Sequence, residues 1–333
     1  MFSRRLKNLL ILIFCLASAI LQAQKAEFTL PDGFKFICPI GKIRGHLQGV
    51  CAYKNNLYWV TNYELIKTDK KCNILKRIRL KKEPPRLIHG GDPCIVDGKI
   101  YVPYCAERFN KPAETEKSDN FVQIYDSNLN YIKTYHIPQV KYGAGTITYA
   151  DGHFFVSGGK GFYQSGVDLF EYDKEFNLIK KHQLNIISRQ GIQTLTYDGK
   201  DFWIGIYEKT SKTYKLSRDF KNITYYNFYS AMGLLILNDG KILISSENQE
   251  KGLSAHVISP ENFKLNPVYI YIDKDGSVIH NNKRYATYKD FSAKIRQQKN
   301  DLYYVKCSPE LDIRKWITID RFTQFARLAE VAE

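Results

Sequence analysis

The chain has 333 residues, and its 49 Lys and Arg against 34 Asp and Glu give a formal net charge of +15. A mean hydropathy of -0.37 excludes a polytopic membrane protein, while a hydrophobic share of 44% is enough for a buried core. The 24 Tyr and 19 Phe favour β-sheet, because aromatic side chains suit half-buried pleated surfaces. The basic residues are scattered along the chain, which is typical of a solvated surface and argues against a nucleic-acid partner.

The first 23 residues have the pattern of a cleavable secretory signal peptide. Arg4, Arg5 and Lys7 form a basic start, residues 9–20 form a short apolar run, and a cleavage site follows at Ala23. The run is shorter than the roughly 20 residues that a membrane span needs. We therefore expect a periplasmic or secreted protein that is not integral to a membrane once the signal is removed, with an uncleaved anchor as the alternative.

Export bears on how the cysteines are interpreted. Six remain after the predicted signal peptide, namely Cys38, Cys51, Cys72, Cys94, Cys105 and Cys307. An oxidising compartment permits up to three disulfides among them. Alternatively, Cys51 and Cys94 are small buried strand residues, because they hold equivalent places in a repeated unit. The spacings show no metal-ligand pattern.

Five segments of the chain share one pattern, in which a tight turn joins a short apolar strand to a second strand rich in aromatic residues. The turns fall at Asn55-Asn56, Asp97-Gly98, Asp151-Gly152, Asp198-Gly199 and Asp239-Gly240. Asn-Asn and Asp-Gly tolerate the positive φ of two-residue hairpin turns. Each segment is therefore predicted to be a β-hairpin.

A second hairpin follows the first in each unit. Residues 67–76, 124–133 and 171–180 match one another, and each has an Asp at the start of its turn. Two hairpins per period of roughly 40–50 residues indicate the four-stranded blades of a propeller. We predict an all-β, five-bladed β-propeller over residues 24–267, with six blades as the alternative. Residues 28–40 are predicted to supply the outer strand that closes the ring.

Residues 268–333 are predicted to form a small α+β domain. The pattern indicates a strand, turn and strand over Val268–Ile279, a helix over Tyr288–Gln298, a strand over Asp301–Cys307 and a final helix from Ile319 to Ala329. This order and the segment "PVYIYIDKDGSVIHNNKRY" resemble the periplasmic domain of ExbD/TolR-type biopolymer-transport proteins. The resemblance implies a module that docks on an envelope protein or dimerises; the alternative is an appendage that packs on the propeller.

Propeller geometry predicts where a site lies. The start of each inner strand and the end of each second strand reach the same mouth of the central channel. The side chains expected there from the inner-strand starts are His46, Gln48, His89, Asp92, Tyr142, Gln190 and Gln193. Those expected from the second-strand ends are Asn62, Tyr104, Glu107, Arg108, Tyr207, Glu208, Glu247 and Asn248. This set is predicted to bind a small molecule or a protein.

The same mouth could carry chemistry. His46, His89 and Asp92 could hold a divalent metal, because imidazole with carboxylate suits Zn or Mn, and carboxylate with amide suits Ca. Alternatively, His46 or His89 could act as a catalytic general base, because the pKa of histidine lies near working pH. A third interpretation is a water-filled channel whose polar side chains hydrogen-bond the loop backbone.

The repeated unit also carries resemblances to known propellers. The segment "HLQGVCAYKNNLYWVTN…IKTD" resembles the blades of the NHL, SMP-30 and strictosidine-synthase-like group. The acidic and Asn metal ligands of SMP-30 lactonases are not matched, although the group implies a metal-dependent hydrolase or lyase. Gln48-Gly49 is also similar to the "TQG" element of plant-type glutamine cyclotransferases, which implies glutaminyl cyclisation.

The loops favour one class of function over the other. Residues 103–120 and 157–166 form unequal loops on the predicted mouth, and long loops on one face usually bind something. No GxSxG, HExxH, P-loop or EF-hand motif is present. The sequence therefore favours an exported propeller that binds a ligand or protein partner, with an enzyme as the alternative.

Overall fold

The computed structural model describes residues 25–38, 45–81, 89–105, 120–158, 167–184, 186, 188, 191–207, 213–248, 252–287, 290–291, 301–308 and 310, with the backbone alone at 25, 36–38, 89, 248, 266–269 and 301–307. The chain divides into two compact units, one of Met1–Ile223 with Phe228–Pro260 and one of Thr224–Asn227 with Glu261–Glu333. The predicted signal peptide lies outside the described residues. No helix among those residues is long and apolar enough to cross a membrane.

The first unit is built from mainly antiparallel sheets that follow one another along the chain. The two N-terminal strands are β1 (Lys25–Ala26) and β2 (Lys35–Cys38). Sheet 1 contains β3 (Leu47–Tyr53), β4 (Asn56–Thr61), β5 (Glu64–Asp69) and β6 (Ile74–Arg79). Sheet 2 contains β7 (His89–Gly90), β8 (Cys94–Val96), β9 (Lys99–Cys105), β10 (Asn120–Asp126) and β11 (Tyr131–His136).

Three further sheets complete this unit in the described residues. Sheet 3 contains β12 (Ala144–Ala150), β13 (His153–Gly158), β14 (Val167–Tyr172) and β15 (Leu178–Leu184). Sheet 4 contains β16 (Ile192–Tyr197), β17 (Asp201–Ile206), β18 (Thr213–Ser217) and β19 (Ile223–Tyr226), and of β19 only Ile223 falls in this unit. Sheet 5 contains β20 (Leu234–Leu237), β21 (Ile242–Asn248) and β22 (Gly252–Ile258), together with β1 and β2.

The inner strands of these sheets contact one another in a closed ring, in the order β3, β8, β12, β16, β20 and back to β3. This arrangement is the predicted β-propeller. Strand β2 pairs antiparallel with β22, so that Lys35 lies opposite His256. The N-terminal strand β2 is therefore the outer strand of the last sheet and closes the ring, as predicted for residues 28–40. The parallel pairing of β1 with β20 was not predicted, because two residues show no period.

Two of the five inner hairpin turns have the backbone that their residues predict. Asp97 and Gly98 have φ values of 49° and 72°, and Asp151 and Gly152 have values of 51° and 92°, as two-residue hairpin turns require. The first predicted turn is wrong by one residue. Tyr53 pairs with Asn56, which leaves the turn to positions 54 and 55. The turn predicted at Asp198-Gly199 is also displaced by one residue, because the Asp198 N–H donates to Asp201 O. The turn predicted at Asp239-Gly240 has three residues, because the Leu237 N–H donates to Lys241 O.

The outer hairpins of sheets 1 to 3 share a second kind of turn. In each, the Oδ1 atom of an Asp accepts backbone N–H groups two and four residues later, and an Asn side chain donates to its Oδ2 at 2.7–2.9 Å. The Asp and Asn pairs are Asp69 with Asn73, Asp126 with Asn130, and Asp173 with Asn177. The residue before the Asn is buried and has a positive φ in all three: Cys72, Leu129 and Phe176. The repeated Asp and Asn in the sequence thus encode one turn three times.

The second unit contains a mixed sheet. After a 3₁₀ turn at Pro260–Phe263, its strands are β23 (Asn266–Ile272), β24 (Val278–His280), β25 (Lys283–Tyr285) and β26 (Asp301–Cys307), in the order β25-β24-β23-β26. Strand β26 runs parallel to β23. The predicted hairpin and the strand at 301–307 are confirmed, whereas β25 was not predicted because its residues are mostly polar. The predicted helix at 288–298 is described only at Asp290 and Phe291, and the final helix lies outside the described residues.

The four propeller cysteines whose side chains are described fall into two chemical states. Cys72 is disulfide-bonded, whereas Cys51, Cys94 and Cys105 carry buried, reduced thiols. Burial raises the pKa of the Cys51 thiol well above its usual value, and the neighbouring Asp92 adds to this effect. These three thiols are therefore expected to be packing residues that are poor nucleophiles.

We predict that iodoacetamide leaves Cys51, Cys94 and Cys105 unmodified in the native protein, because the reagent needs an accessible thiolate. All three become modified in denaturant, and Cys72 becomes modified only when a reductant is also added. Peptide mapping by mass spectrometry checks each position. Rapid modification of Cys51 in the folded protein would contradict this assignment.

Candidate functional site at the mouth of the central channel

Two of the predicted site residues meet at the mouth. His46 Nδ1 lies 3.2 Å from Glu247 Oε2, although 201 positions separate the two in the chain. The second oxygen of Glu247 accepts the backbone N–H of Leu47. The Glu247 side chain is 14% exposed and that of His46 is 68% exposed. The carboxyl is thus held at the start of β3, at the end of β21, while the imidazole faces solvent.

Asn62 fixes the chain that carries His46. Its Oδ1 accepts the His46 backbone N–H at 2.8 Å and the Gln48 side-chain amide at 2.9 Å. Its own N–H donates to the His46 carbonyl at 2.9 Å. A Cβ on Gly45 would lie 2.6 Å from the Asn62 Cβ, so the chain approaches closely enough to require glycine there. The position of His46 is therefore set by hydrogen bonds to the end of β4.

Two tyrosines stand near the Glu247 carboxyl. The ring centroids of Tyr207 and Tyr229 are 6.4 Å apart. Burial, and then the charge of Glu247, raises the pKa of Tyr207. The pKa of Tyr229 is raised by burial, by Tyr207 and by Glu247. Both phenols therefore stay neutral at ordinary pH and can donate hydrogen bonds.

Tyr229 was not among the predicted site residues. It precedes Gly233, just as the predicted residues of the other inner strands precede their own strands. The same rule of position would have found it. The mouth cluster, which we define as His46, Gln48, Asn62, Tyr207, Tyr229 and Glu247, thus consists of five predicted residues and one that was missed.

Asp92 lies in the channel wall, where it is 1% exposed. Its Oδ2 accepts the backbone N–H of Leu195 at 3.0 Å and the hydroxyl of Thr146 at 3.2 Å. Among the described residues, its Oδ1 has no hydrogen-bond partner of normal geometry. This oxygen lies against Gly49, where a Cβ would come within 2.0 Å of it. The carboxyl therefore reaches from sheet 2 to the inner strands of sheets 1, 3 and 4.

Burial dominates the ionisation of Asp92. It raises the pKa of this carboxyl well above the usual value, outweighing the opposing effects of the Leu195 amide, the Thr146 hydroxyl and the Val50 amide. The backbone of Asp92 is also hydrogen-bonded to the inner strand of sheet 3, because its N–H donates to Gly145 O at 2.9 Å. Through these contacts Asp92 links the inner strands of neighbouring sheets, and we call it a strut in this sense. His46, in contrast, is exposed at the mouth.

The other predicted site residues lie in different surroundings. Gln193 is buried at a bulge in β16, and Tyr142 is half-buried. Tyr104 is buried, and its hydroxyl has no partner in the described part of the chain. His89 and Asn248 are described by their backbone alone, and Glu107, Arg108, Gln190 and Glu208 lie outside the described residues. Within the described residues, no group of three His, Cys, Asp or Glu is placed to hold a metal ion.

A second polar cluster lies away from the mouth, beside the turn that precedes β13. Glu171 contacts His153 at 2.7 Å through Oε1 and His182 at 2.6 Å through Oε2. Burial would raise the pKa of Glu171, but hydrogen bonds from the two histidines outweigh it and lower the pKa. Arg218 pairs with Asp151 at 2.7 Å and lies over the ring of Phe155. These contacts join sheets 3 and 4, so the residues of this cluster are explained by their role in stabilising the fold.

Comparisons with known proteins agree with the class that the fold defines, which is the β-propeller. No protein-family model matches the chain, and no curated protein matches it. A glutaminyl cyclase of Myxococcus xanthus is similar in structure, with a TM-score of 0.51 and 11% identity, over 71% of this chain and 97% of that one. A GH43 β-xylosidase/α-arabinofuranosidase from a compost metagenome gives a TM-score of 0.44 and 9% identity, over 71% and 96%. At 11% identity the likeness to the glutaminyl cyclase is one of fold alone.

We predict that Asp92→Ala lowers the free energy of unfolding by about 1–3 kcal/mol, because it leaves the Leu195 and Thr146 donors buried and unpaired. Asp92→Asn keeps an acceptor and costs less. Because the folded pKa of Asp92 is raised, its contribution is complete below the unfolded pKa of about 4 and is lost as pH rises through the folded pKa. Asp92→Asn therefore flattens the decline of stability with rising pH.

Urea unfolding at a series of pH values checks both substitutions. Glu175→Gln is the matched control, since Glu175 is an exposed acid on an outer turn. Equal stability of the Ala and Asn variants at every pH would show that Asp92 is not a strut.

Proposed function

We propose that the protein is an exported propeller that binds a ligand with a primary ammonium group at the mouth cluster. The observation that carries this proposal is the Glu247 carboxyl, which is held by His46 and the Leu47 amide and influences the ionisation of Tyr207 and Tyr229. A carboxyl beside aromatic rings suits an ammonium group, through ion pairing and cation–π attraction. A carboxylate has further lone pairs after its two bonds here.

The rest of the mouth cluster supports a polar ligand. Gln48 and Asn62 offer amide groups, and the exposed imidazole of His46 stands at the rim. Small-molecule and peptide sites commonly combine a few placed polar groups with aromatic walls. The N-terminus of a peptide, which is itself a primary amine, fits this description.

The chemistry of the cysteines supports export. A disulfide at Cys72 is stable in a periplasmic or extracellular setting, where oxidising conditions hold. The signal-like pattern of residues 1–23 points the same way. We extend the proposal to the C-terminal unit, whose sequence resembles the ExbD/TolR-type periplasmic domain, as a module that docks on an envelope protein.

A second candidate function is glutaminyl cyclisation. The fold likeness to a glutaminyl cyclase and the Gln48-Gly49 element favour it. In that reaction the α-amino nitrogen of an N-terminal Gln attacks the side-chain amide carbon, the C–N bond breaks, and ammonia leaves. Glu247 or His46 could take the amine proton and return it to the leaving nitrogen. A metal-dependent hydrolase has no supporting observation among the described residues.

We predict that a peptide beginning with Gln binds the protein and that its N-acetylated form does not, because acetylation removes the ammonium charge. Glu247→Gln weakens the binding at least tenfold, about 1.4 kcal/mol, while Glu175→Gln leaves it unchanged. Isothermal titration calorimetry measures the affinities.

The same samples separate binding from catalysis. Release of ammonia, followed by mass spectrometry of the peptide, would establish the cyclase. Binding without ammonia release would leave a recognition protein. Equal binding of the free and acetylated peptides, or no binding of either, would overturn the ammonium site.

A further inference from the structure

The outer strands of sheets 1, 2 and 3 share a β-bulge near their start. In β6, Lys76 lies opposite Lys67 and Ile74 lies opposite Thr68, so that Leu75 has no partner in the ladder. The same shift occurs in β11 and in β15. The bulged residues are Leu75, Ile132 and Ile179. A bulge leaves its extra residue unpaired and redirects the side chain.

Each bulged residue is a large aliphatic side chain that faces solvent. Leu75 is 54% exposed, Ile132 is 44% exposed and Ile179 is 49% exposed. Two of the three strands expose a second aliphatic residue beside it, Ile74 or Leu178. A single exposed aliphatic residue is ordinary, but the same position in three successive sheets is a pattern.

The strands that carry these residues are basic, although the turns that lead into them carry the acids Asp69, Asp126, Asp173 and Glu175. Their sequences, ILKRIR, YIKTYH and LIKKHQL, contain six Lys and Arg and no Asp or Glu. Lys76, Lys133 and Lys180 directly follow the bulged residues and hold the same register position in each strand. All three are exposed, although the Lys76 ammonium also donates to Asn128 O at 2.6 Å and the Lys133 ammonium donates to the Tyr135 hydroxyl. We call the bulged residues and these three lysines the basal rim.

The basal rim lies at the end of the propeller opposite the mouth. Strand β3 starts at the mouth, and the antiparallel strand β4 ends there. Strand β5 therefore runs away from the mouth, and β6 starts at the opposite end. The same sequence of antiparallel pairs holds in sheets 2 and 3. Equivalent positions in a ring lie at one level along its axis, so the three aliphatic residues share a level.

Protection of sheet edges accounts for only part of this feature. Lysines and bulges on edge strands prevent other strands from pairing with them. Exposed Leu and Ile have the opposite effect, because they raise the tendency to associate. Edge protection therefore does not explain the exposed aliphatic residues of the basal rim, whereas contact with a binding partner would.

We propose that the basal rim docks the protein on the surface of an anionic lipid bilayer. Phosphate headgroups complement the lysines, and the bulged aliphatic residues reach the shallow apolar layer beneath them. A flat partner suits contacts that are spread around a ring at one level. A second copy of the same surface is disfavoured, because it would bring lysines against lysines. Docked this way, the mouth cluster faces away from the bilayer.

Vesicle co-sedimentation of the full mature protein tests this proposal. We expect binding to vesicles of phosphatidylcholine with about 30 mol% phosphatidylglycerol, weak binding to pure phosphatidylcholine, and loss of binding as salt rises above about 0.1 M. Lys76→Gln/Lys133→Gln/Lys180→Gln is expected to lower the partition coefficient at least tenfold. Leu75→Ser/Ile132→Ser/Ile179→Ser is expected to do the same without changing the salt dependence.

Tyr63→Ser is the matched control, since Tyr63 is 44% exposed and follows β4 at the mouth end. This control should bind vesicles like the wild type, and the melting temperature of every variant confirms that it is folded. Equal binding to both vesicle types, or full binding by the Ser triple variant, would overturn the proposal. So would dimerisation through the basal rim, seen as a loss of mass in the Ser variant by light scattering.

Discussion

The carboxyl of Asp92 is the contact on which the ring of inner strands depends. It belongs to sheet 2, yet it bonds Thr146 of sheet 3 and Leu195 of sheet 4 and packs against Gly49 of sheet 1. A propeller joins its sheets mainly through side chains, so a buried group with hydrogen bonds to several sheets fixes their relative positions. Burial raises the pKa of this carboxyl, so it stays neutral to a higher pH than an exposed carboxyl would. The carboxyl fits in this place only because residue 49 is a glycine.

The mouth cluster is a consequence of that ring. Glu247 ends a strand of sheet 5 and His46 precedes the first strand of sheet 1, so the two meet because the ring closes between the last sheet and the first. The same closure uses β2 as the outer strand of sheet 5. The first and last parts of the propeller are therefore both needed to form the mouth cluster. The basal rim needs no such closure, because its residues belong to sheets 1 to 3.

The sequence predicted the repeated features of the fold better than the features that occur once. The turns at Asp97-Gly98 and Asp151-Gly152 encode a backbone conformation directly, and they were predicted correctly. The positions of His46 and Glu247 followed from the phase of the repeat. The direction of the Asp92 carboxyl did not, because it depends on Gly49, which is distant in the chain. The bulges at Leu75, Ile132 and Ile179 were likewise missed, since strand periodicity alone does not show where a ladder shifts.

A double-mutant cycle between Asp92 and Thr146 tests most directly whether the inner strands are joined through this carboxyl. Asp92→Ala, Thr146→Val and the double variant are unfolded in urea at one pH, and their free energies of unfolding are compared. If Asp92 joins the strands, the sum of the two single losses exceeds the loss in the double variant by about 1 kcal/mol, because either substitution alone removes the same hydrogen bond. Losses that add to within about 0.3 kcal/mol would contradict the account.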